Sequence, residues 1–155
     1  MRAVQSWLDE YGESHQNPIN KTVHWICVPL ILLSLIGLLW SIPMPHTLEE
    51  TSPLLNWGIL FLIAALLYYF ALAWRLALGM TLVVLMVIAI VYGVSRLPAS
   101  LWLVSLSVFV IAWIGQFIGH KVEGRKPSFF RDVQFLLIGP LWLLAFIYRG
   151  LHIAY

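Results

Sequence analysis

The chain has 155 residues, 61% hydrophobic and only 10% charged, with a formal net charge of +2. Soluble domains carry roughly half apolar and a quarter charged residues, and a domain of this size still exposes about a third of its unfolded surface. A soluble globule is therefore excluded, and the small charge without a dense basic run excludes nucleic acid as a partner; the surplus apolar surface must face lipid.

Residues 1–22 are polar and form a cytoplasmic or interfacial segment, with no cleavable signal peptide because acids lie within it. Val4, Trp7, Leu8 and Tyr11 recur at helical spacing, and the two aromatics suit a membrane interface. Asn17-Pro18 reads as a helix start, since Asn caps and Pro is tolerated in the first turn. About 20 apolar residues cross a bilayer, and spans are predicted over about 23–41, 54–73, 76–94 and 99–119. Ile42-Pro43-Met44-Pro45 ends the first, Ser52-Pro53 opens the second, and Ser95-Arg96-Leu97-Pro98 turns the chain after the third. A last apolar stretch, 133–148, is interrupted by Gly139-Pro140 and is either a short fifth span or a re-entrant helix. The expected fold is an all-α integral membrane bundle in one domain, without internal repeats. The lone Cys27 permits no internal disulfide and reads as a core residue. Gly37, Gly58, Gly79, Gly93, Gly115 and Gly119 read as packing positions.

With the N-terminus inside, the inner segments hold Arg2, Lys21, Arg75, Lys121, Arg125, Lys126 and Arg131, and the outer ones only Arg96 and Arg149. The positive-inside bias thus puts the N-terminus and the 120–132 loop in the cytoplasm. His15 and His24, at the start of the first span, then share a membrane face with His120, at the end of the fourth. His46 falls on the other face, and the side of His152 depends on whether the last stretch crosses. Ionisable groups at a membrane edge are costly and are candidates for function. Tyr11–His15, Asn20–His24 and Gln116–His120 are i, i+4 pairs and His120–Glu123 is i, i+3, so each histidine has a neighbour able to orient its ring. Taken singly, each imidazole reads equally well as an interfacial ring bonded to water or a headgroup. Taken together, with Asn20, Gln116 and Glu123 beside them, they read as one shared site suited to Fe, Zn or Cu. The Lys121–Arg131 cluster reads as a solvated loop, and Ser34, Ser105 and Ser107 lack a base that would make a hydrolase of the serine type.

The run His15-Gln-Asn-Pro-Ile-Asn20, followed by His24 and Pro29, and the run Gln116-Phe-Ile-Gly-His120, followed by Glu123 and Pro127, resemble the family of small membrane proteins related to the yeast 2-hydroxy fatty acid dioxygenase. Gln134 and Pro140 look like a third, weaker block, and the likeness covers nearly the whole chain. It implies an Fe(II)-dependent dioxygenase that uses O2 to shorten a 2-hydroxy fatty acid by one carbon. By resemblance, His15, His24 and His120 are metal ligands, with His152 and Glu123 as further candidates. Asn17, Asn20, Gln116, Glu123 and Tyr11 become supporting or substrate-binding groups, and no separate catalytic base is assigned. Here Glu123 follows His120 by three residues where the family pattern has four. The short chain fits a bacterial inner-membrane protein.

Two other readings stay open: a zinc-dependent lipid hydrolase, separated by its metal and by the absence of O2 uptake, and a non-enzymatic assembly or transport protein. The nearly apolar middles of the spans and the lack of repeats count against a transporter. No oligomeric state is assigned.

Overall fold

The computed structural model describes residues 3–45, 55–126 and 134–155. Among them there are six helices and no strand: α1 (Val4–Glu13), α2 (Pro18–Trp40), α3 (Trp57–Leu72), α4 (Trp74–Ser95), α5 (Leu101–Glu123) and α6 (Phe135–Gly150). The loops expected around His46, Glu49, Glu50 and Ser52-Pro53, and around Pro127, Arg131 and Asp132, lie outside the described residues. Helices α2, α4 and α5 are long and apolar enough to cross a membrane, whereas α3 and α6 are shorter apolar helices.

Helix boundaries extend past the apolar runs because the hydrogen-bond ladder continues into polar sequence. Helix α2 starts at Pro18, with Asn17 as its cap accepting from Ile19 N at 2.9 Å, as Asn-Pro predicts. It therefore carries Asn20 and His24 on its first turns. Helix α5 runs on through His120 to Glu123 and stops at Gly124, whose φ of 74° is the left-handed conformation that ends helices. Helix α3 begins at Trp57, a little later than the apolar run, because Asn56 caps it by accepting from Ile59 N at 3.0 Å.

Helix α2 is the axis of the bundle. Helix α5 lies along one side of it, α3 packs on it and on α4, and α6 rests on α1, α2 and α4. The α2–α5 approach is close enough to need Gly119: a Cβ there would meet Asn20 Oδ1 at 2.6 Å and Val23 at 3.2 Å. The outward faces stay bare, with Leu82 70%, Ile111 68% and Leu67 67% exposed, as a lipid-facing surface requires.

The contacts of α6 all lie at one end of the bundle. Tyr69, near the end of α3, donates its hydroxyl to Leu137 O at 2.7 Å. Gly139 faces Tyr11 and Val28. Phe146 meets Trp25 edge-on at 5.6 Å, and the Tyr148 hydroxyl reaches Arg75 O at 3.4 Å. This end holds the start of α2, the α3–α4 turn and the end of α5. The packing of α6 at this end has a further effect. Tyr11, expected at a water interface, is buried beneath α6, and Trp7 packs edge-on against Phe135 at 5.3 Å. The amphipathic face of α1 meets protein rather than headgroups because α6 covers it.

Candidate metal and substrate site

Three elements deliver three imidazoles to one place: the α1–α2 turn gives His15, the second turn of α2 gives His24, and the last turn of α5 gives His120. All three are buried, as are Asn20 and Gln116. The His15 ring centroid lies 4.4 Å from that of His24 and 4.9 Å from that of His120. The rings meet although His15 and His120 are far apart in sequence, because α5 runs antiparallel to α2 and ends where α2 begins.

The hydrogen bonds decide which nitrogens are available. His15 Nδ1 lies 2.8 Å from the carbonyl oxygen of Tyr11, an acceptor only, so Nδ1 carries the proton and donates. Its other nitrogen, Nε2, then presents a lone pair, and that atom is buried without a partner. Burial pushes the His15 imidazole down to about pKa 4, against the opposing pull of the Tyr11 carbonyl, so the ring is neutral near pH 7. In His120 too a ring nitrogen, Nδ1, is buried without a partner. His24 has both nitrogens engaged, Nε2 with the Tyr11 hydroxyl and Nδ1 with the Gln116 amide, each at 3.3 Å. Among the described residues no three ligating side chains converge at metal-binding spacing. The gap is in His24, whose Nε2 faces a phenol. As placed, the Gln116 amide nitrogen donates to His24 Nδ1, so His24 Nε2 carries its proton toward the Tyr11 hydroxyl; with the amide turned, Nε2 takes the lone pair and the three rings would offer neutral nitrogens to a divalent metal. Two bare imidazole nitrogens in a buried cluster, with a third held by a neutral phenol, fit a metal in chemistry.

The residues expected beside the histidines lie near them, but several bond to other partners than helical spacing suggests. Tyr11 orients His15 through its backbone carbonyl and sends its hydroxyl to His24, while its ring stacks on His15 at 4.5 Å. Gln116 bonds to His24 across the helix pair. Asn20 Nδ2 donates to Ser14 O at 3.0 Å and to Glu123 Oε2 at 3.1 Å. Glu123 also accepts from Gln16 N at 2.9 Å and Asn17 N at 2.8 Å. Its carboxylate thus ties the end of α5 to the first N–H groups before α2 and holds the His15 segment closed. Spacing along one helix names neighbours, but these bonds form between elements, where the tertiary contact decides. His152 stands exposed after α6, at φ 57°, and makes no ring contact with the three. Trp142 went unnoticed in the sequence. It is buried with its ring 5.6 Å from both His15 and His24, and only the fold-back of α6 brings it there.

A cavity of about 430 Å³ opens beside His120. Tyr11, Gln116, His120 and Gln134 stand at its head, and its walls are almost wholly aliphatic and aromatic side chains of α2, α3, α4, α5 and the first turns of α6. The arrangement is an apolar cavity with a polar end that carries His120 and lies next to the other two imidazoles.

A model of the family described as 2-hydroxy-palmitic acid dioxygenase Mpo1-like matches residues 1–151 of this chain. The chain belongs to the Mpo1-like family. A curated protein of Saccharomyces cerevisiae, 2-hydroxy-palmitic acid dioxygenase MPO1, is 32% identical over 143 residues, which cover 91% of this chain and 77% of the yeast protein. No solved structure matches. The resemblance read from the two histidine blocks is therefore a true family relation, and the blocks of this Mpo1-like chain are the segments that meet in space.

Proposed function

We propose that this chain is an iron-dependent membrane dioxygenase that converts a 2-hydroxy fatty acid and O2 to a fatty acid one carbon shorter, carbon dioxide and water. The observation that carries the reading is a cluster of three buried imidazoles, two with bare nitrogens, of which His120 lines an apolar cavity of about 430 Å³. The name of the yeast relative supplies the substrate class.

In this reading His15, His24 and His120 hold Fe(II). The metal would supply the redox-active, Lewis-acidic centre at which O2 and the substrate's carboxylate and 2-hydroxyl meet. The chain's own residues do the rest. The Tyr11 carbonyl fixes the His15 tautomer, and the Gln116 amide holds the His24 ring at Nδ1. The apolar cavity takes the acyl chain and excludes water from the head, and it fixes how far C1 and C2 reach toward the imidazoles.

The topology belongs to the same proposal. Helices α2, α3, α4 and α5 span a bacterial inner membrane, and α6 re-enters and leaves on the side where it began. At about 1.5 Å per residue, α3 is about 24 Å long, short of the roughly 30 Å hydrocarbon core but within what local thinning accommodates. The site lies on the cytoplasmic side. Tyr148 against Arg75 brings the neighbouring Arg149 to that side too, so the positive-inside bias is stronger than the sequence alone gave.

Metal analysis of the purified protein, wild type beside His24→Ala, tests the reading together with O2 uptake on 2-hydroxy fatty acids. About one iron per chain, lost in the variant, with uptake that depends on the 2-hydroxyl, is expected. Zinc in place of iron, without O2 uptake, would transfer the site to hydrolysis. No metal after anaerobic Fe(II) addition would refute a metal enzyme.

A further inference from the structure

We propose that the cavity is a ruler for the acyl chain, and that Val84 and Phe109 at its far end set the longest chain the site accepts. The proposal deepens the function given above and rests on its placement of the substrate head at the histidines. On α5, eleven residues separate His120 from Phe109, and on α2 the same number separate His24 from Leu35. At about 1.5 Å per residue, both helices put the far end of the cavity about 16 Å from the imidazoles. A C–C bond of about 1.5 Å advances a zigzag chain by about 1.3 Å, so this depth takes about a dozen carbons beyond the head. The volume gives a compatible figure. A cavity of about 150 Å³ accepts one six-carbon benzene, and 430 Å³ therefore corresponds to on the order of 17 carbons.

Packed protein backs the far end, although the cavity as a whole is not enclosed. Val84 and Leu62 line the cavity and belong to a buried cluster with Ile36, Val87 and Val91, which fills the bundle beyond. Phe109 faces them from α5.

This backing matters because of the solvent. Lipid tails are as apolar as leucine, so a methylene gains little by leaving the bilayer for the cavity. Length preference must come from fit. A chain too short leaves wall atoms without contacts, a graded loss. A chain too long presses on Val84 and Phe109 or lifts its head from the histidines. Acceptance should therefore fall gently below the filled length and steeply above it.

The test uses full-length protein in lipid nanodiscs and a series of saturated 2-hydroxy fatty acids of increasing length. Binding is read by displacement of a fluorescent fatty acid, and turnover by O2 uptake. Val84→Phe is expected to move the upper cutoff down by about three carbons, and Phe109→Ala to move it up by about as much, with metal content unchanged in both. Cutoffs that stay at the wild-type length in folded, metal-loaded variants would overturn the proposal, because the tail would then be leaving between helices into lipid. The binding readout does not need dioxygenase chemistry, so absence of O2 uptake would count against the proposed reaction while the displacement series still decides the ruler. If Val84→Phe fails to fold, Phe109→Ala alone decides, because it removes volume from a half-buried position.

Discussion

Replacing Glu123 separates two roles that the sequence left open for it, metal ligand and anchor. Its carboxylate accepts from Gln16 N at 2.9 Å, Asn17 N at 2.8 Å and Asn20 Nδ2 at 3.1 Å. A hydrogen bond to a charged group contributes about 1.5–3 kcal/mol when buried. Glu123 is only half-buried, so water partly replaces what Glu123→Ala removes, and about 1 kcal/mol for each bond is the better figure. The total is about 3 kcal/mol, which in a chain of this length corresponds to a fall in Tm of about 6–12 °C. The loss falls on the segment that carries His15, so iron affinity should weaken by about 10–100-fold, the usual effect of removing a group that orients a ligand. Glu123→Gln keeps the shape but only one strong acceptor, and should lie between. Thermal unfolding in nanodiscs, with iron stoichiometry at saturating Fe(II), reads both effects. A destabilised protein that still binds one iron at saturation identifies an anchor. An unchanged Tm with iron abolished as completely as in His15→Ala would refute this account and make Glu123 a ligand.

Other consequences follow from the same geometry. Gly119→Ala places a methyl 2.6 Å from Asn20 Oδ1 and should cost about 1–3 kcal/mol by overpacking, seen as a lower Tm with iron affinity reduced. Trp142→Ala removes a buried ring that touches both His15 and His24. It should cost about 3–5 kcal/mol, a loss that denaturant titration would detect, and an effect below about 1 kcal/mol would mean that α6 does not cover the site. The apoprotein should also lose stability as pH falls. His15 has a pKa near 4 when folded and 6.5 when unfolded, so between those values the unfolded chain binds the extra proton, and stability declines from about pH 6.5 to a floor below pH 4. His15→Gln should flatten that part of the profile, and an unflattened profile would place the titration elsewhere.

The class of fold and the gathering of the three histidines at one end of the bundle were legible because they follow from hydropathy and from the direction in which successive helices run, which are properties of the sequence itself. Asn17-Pro18 marked the start of α2, and the Pro-rich run after Ser41 its end. The three histidines could be assigned to one face because α2 and α5 cross in opposite directions. What could not be read was who bonds to whom. Gln116 looks like a partner for His120 at i, i+4, yet it serves His24 on the neighbouring helix. Tyr11 looks like an interfacial aromatic, yet α6 buries it, and no residue of α1 signals that. The short stretch with Gly139-Pro140 admitted two paths. Tyr69, Trp25 and Arg75 settle its packing, and none of them lies near it in sequence.

A buried polar atom without a partner costs about 1–3 kcal/mol. His15 Nε2, His120 Nδ1 and Asn20 Oδ1 are three such atoms within one small site. Replacing the two rings by apolar side chains of similar size would remove that cost, so folding alone gives no reason for them. Two of the three atoms are imidazole nitrogens, and the His15 ring bonds through its opposite edge to the Tyr11 carbonyl. The His15 ring is thus held with its lone pair inside the cluster, where the unpartnered His120 nitrogen also lies. Water could satisfy one such nitrogen, but a ligand that takes two neutral nitrogens at once is better matched by a metal ion. On this argument, adding Fe(II) to the apoprotein should raise its Tm by more than Mg²⁺ does at the same concentration, because imidazole nitrogen favours the softer ion. Equal shifts from the two ions would leave the bare nitrogens without this explanation.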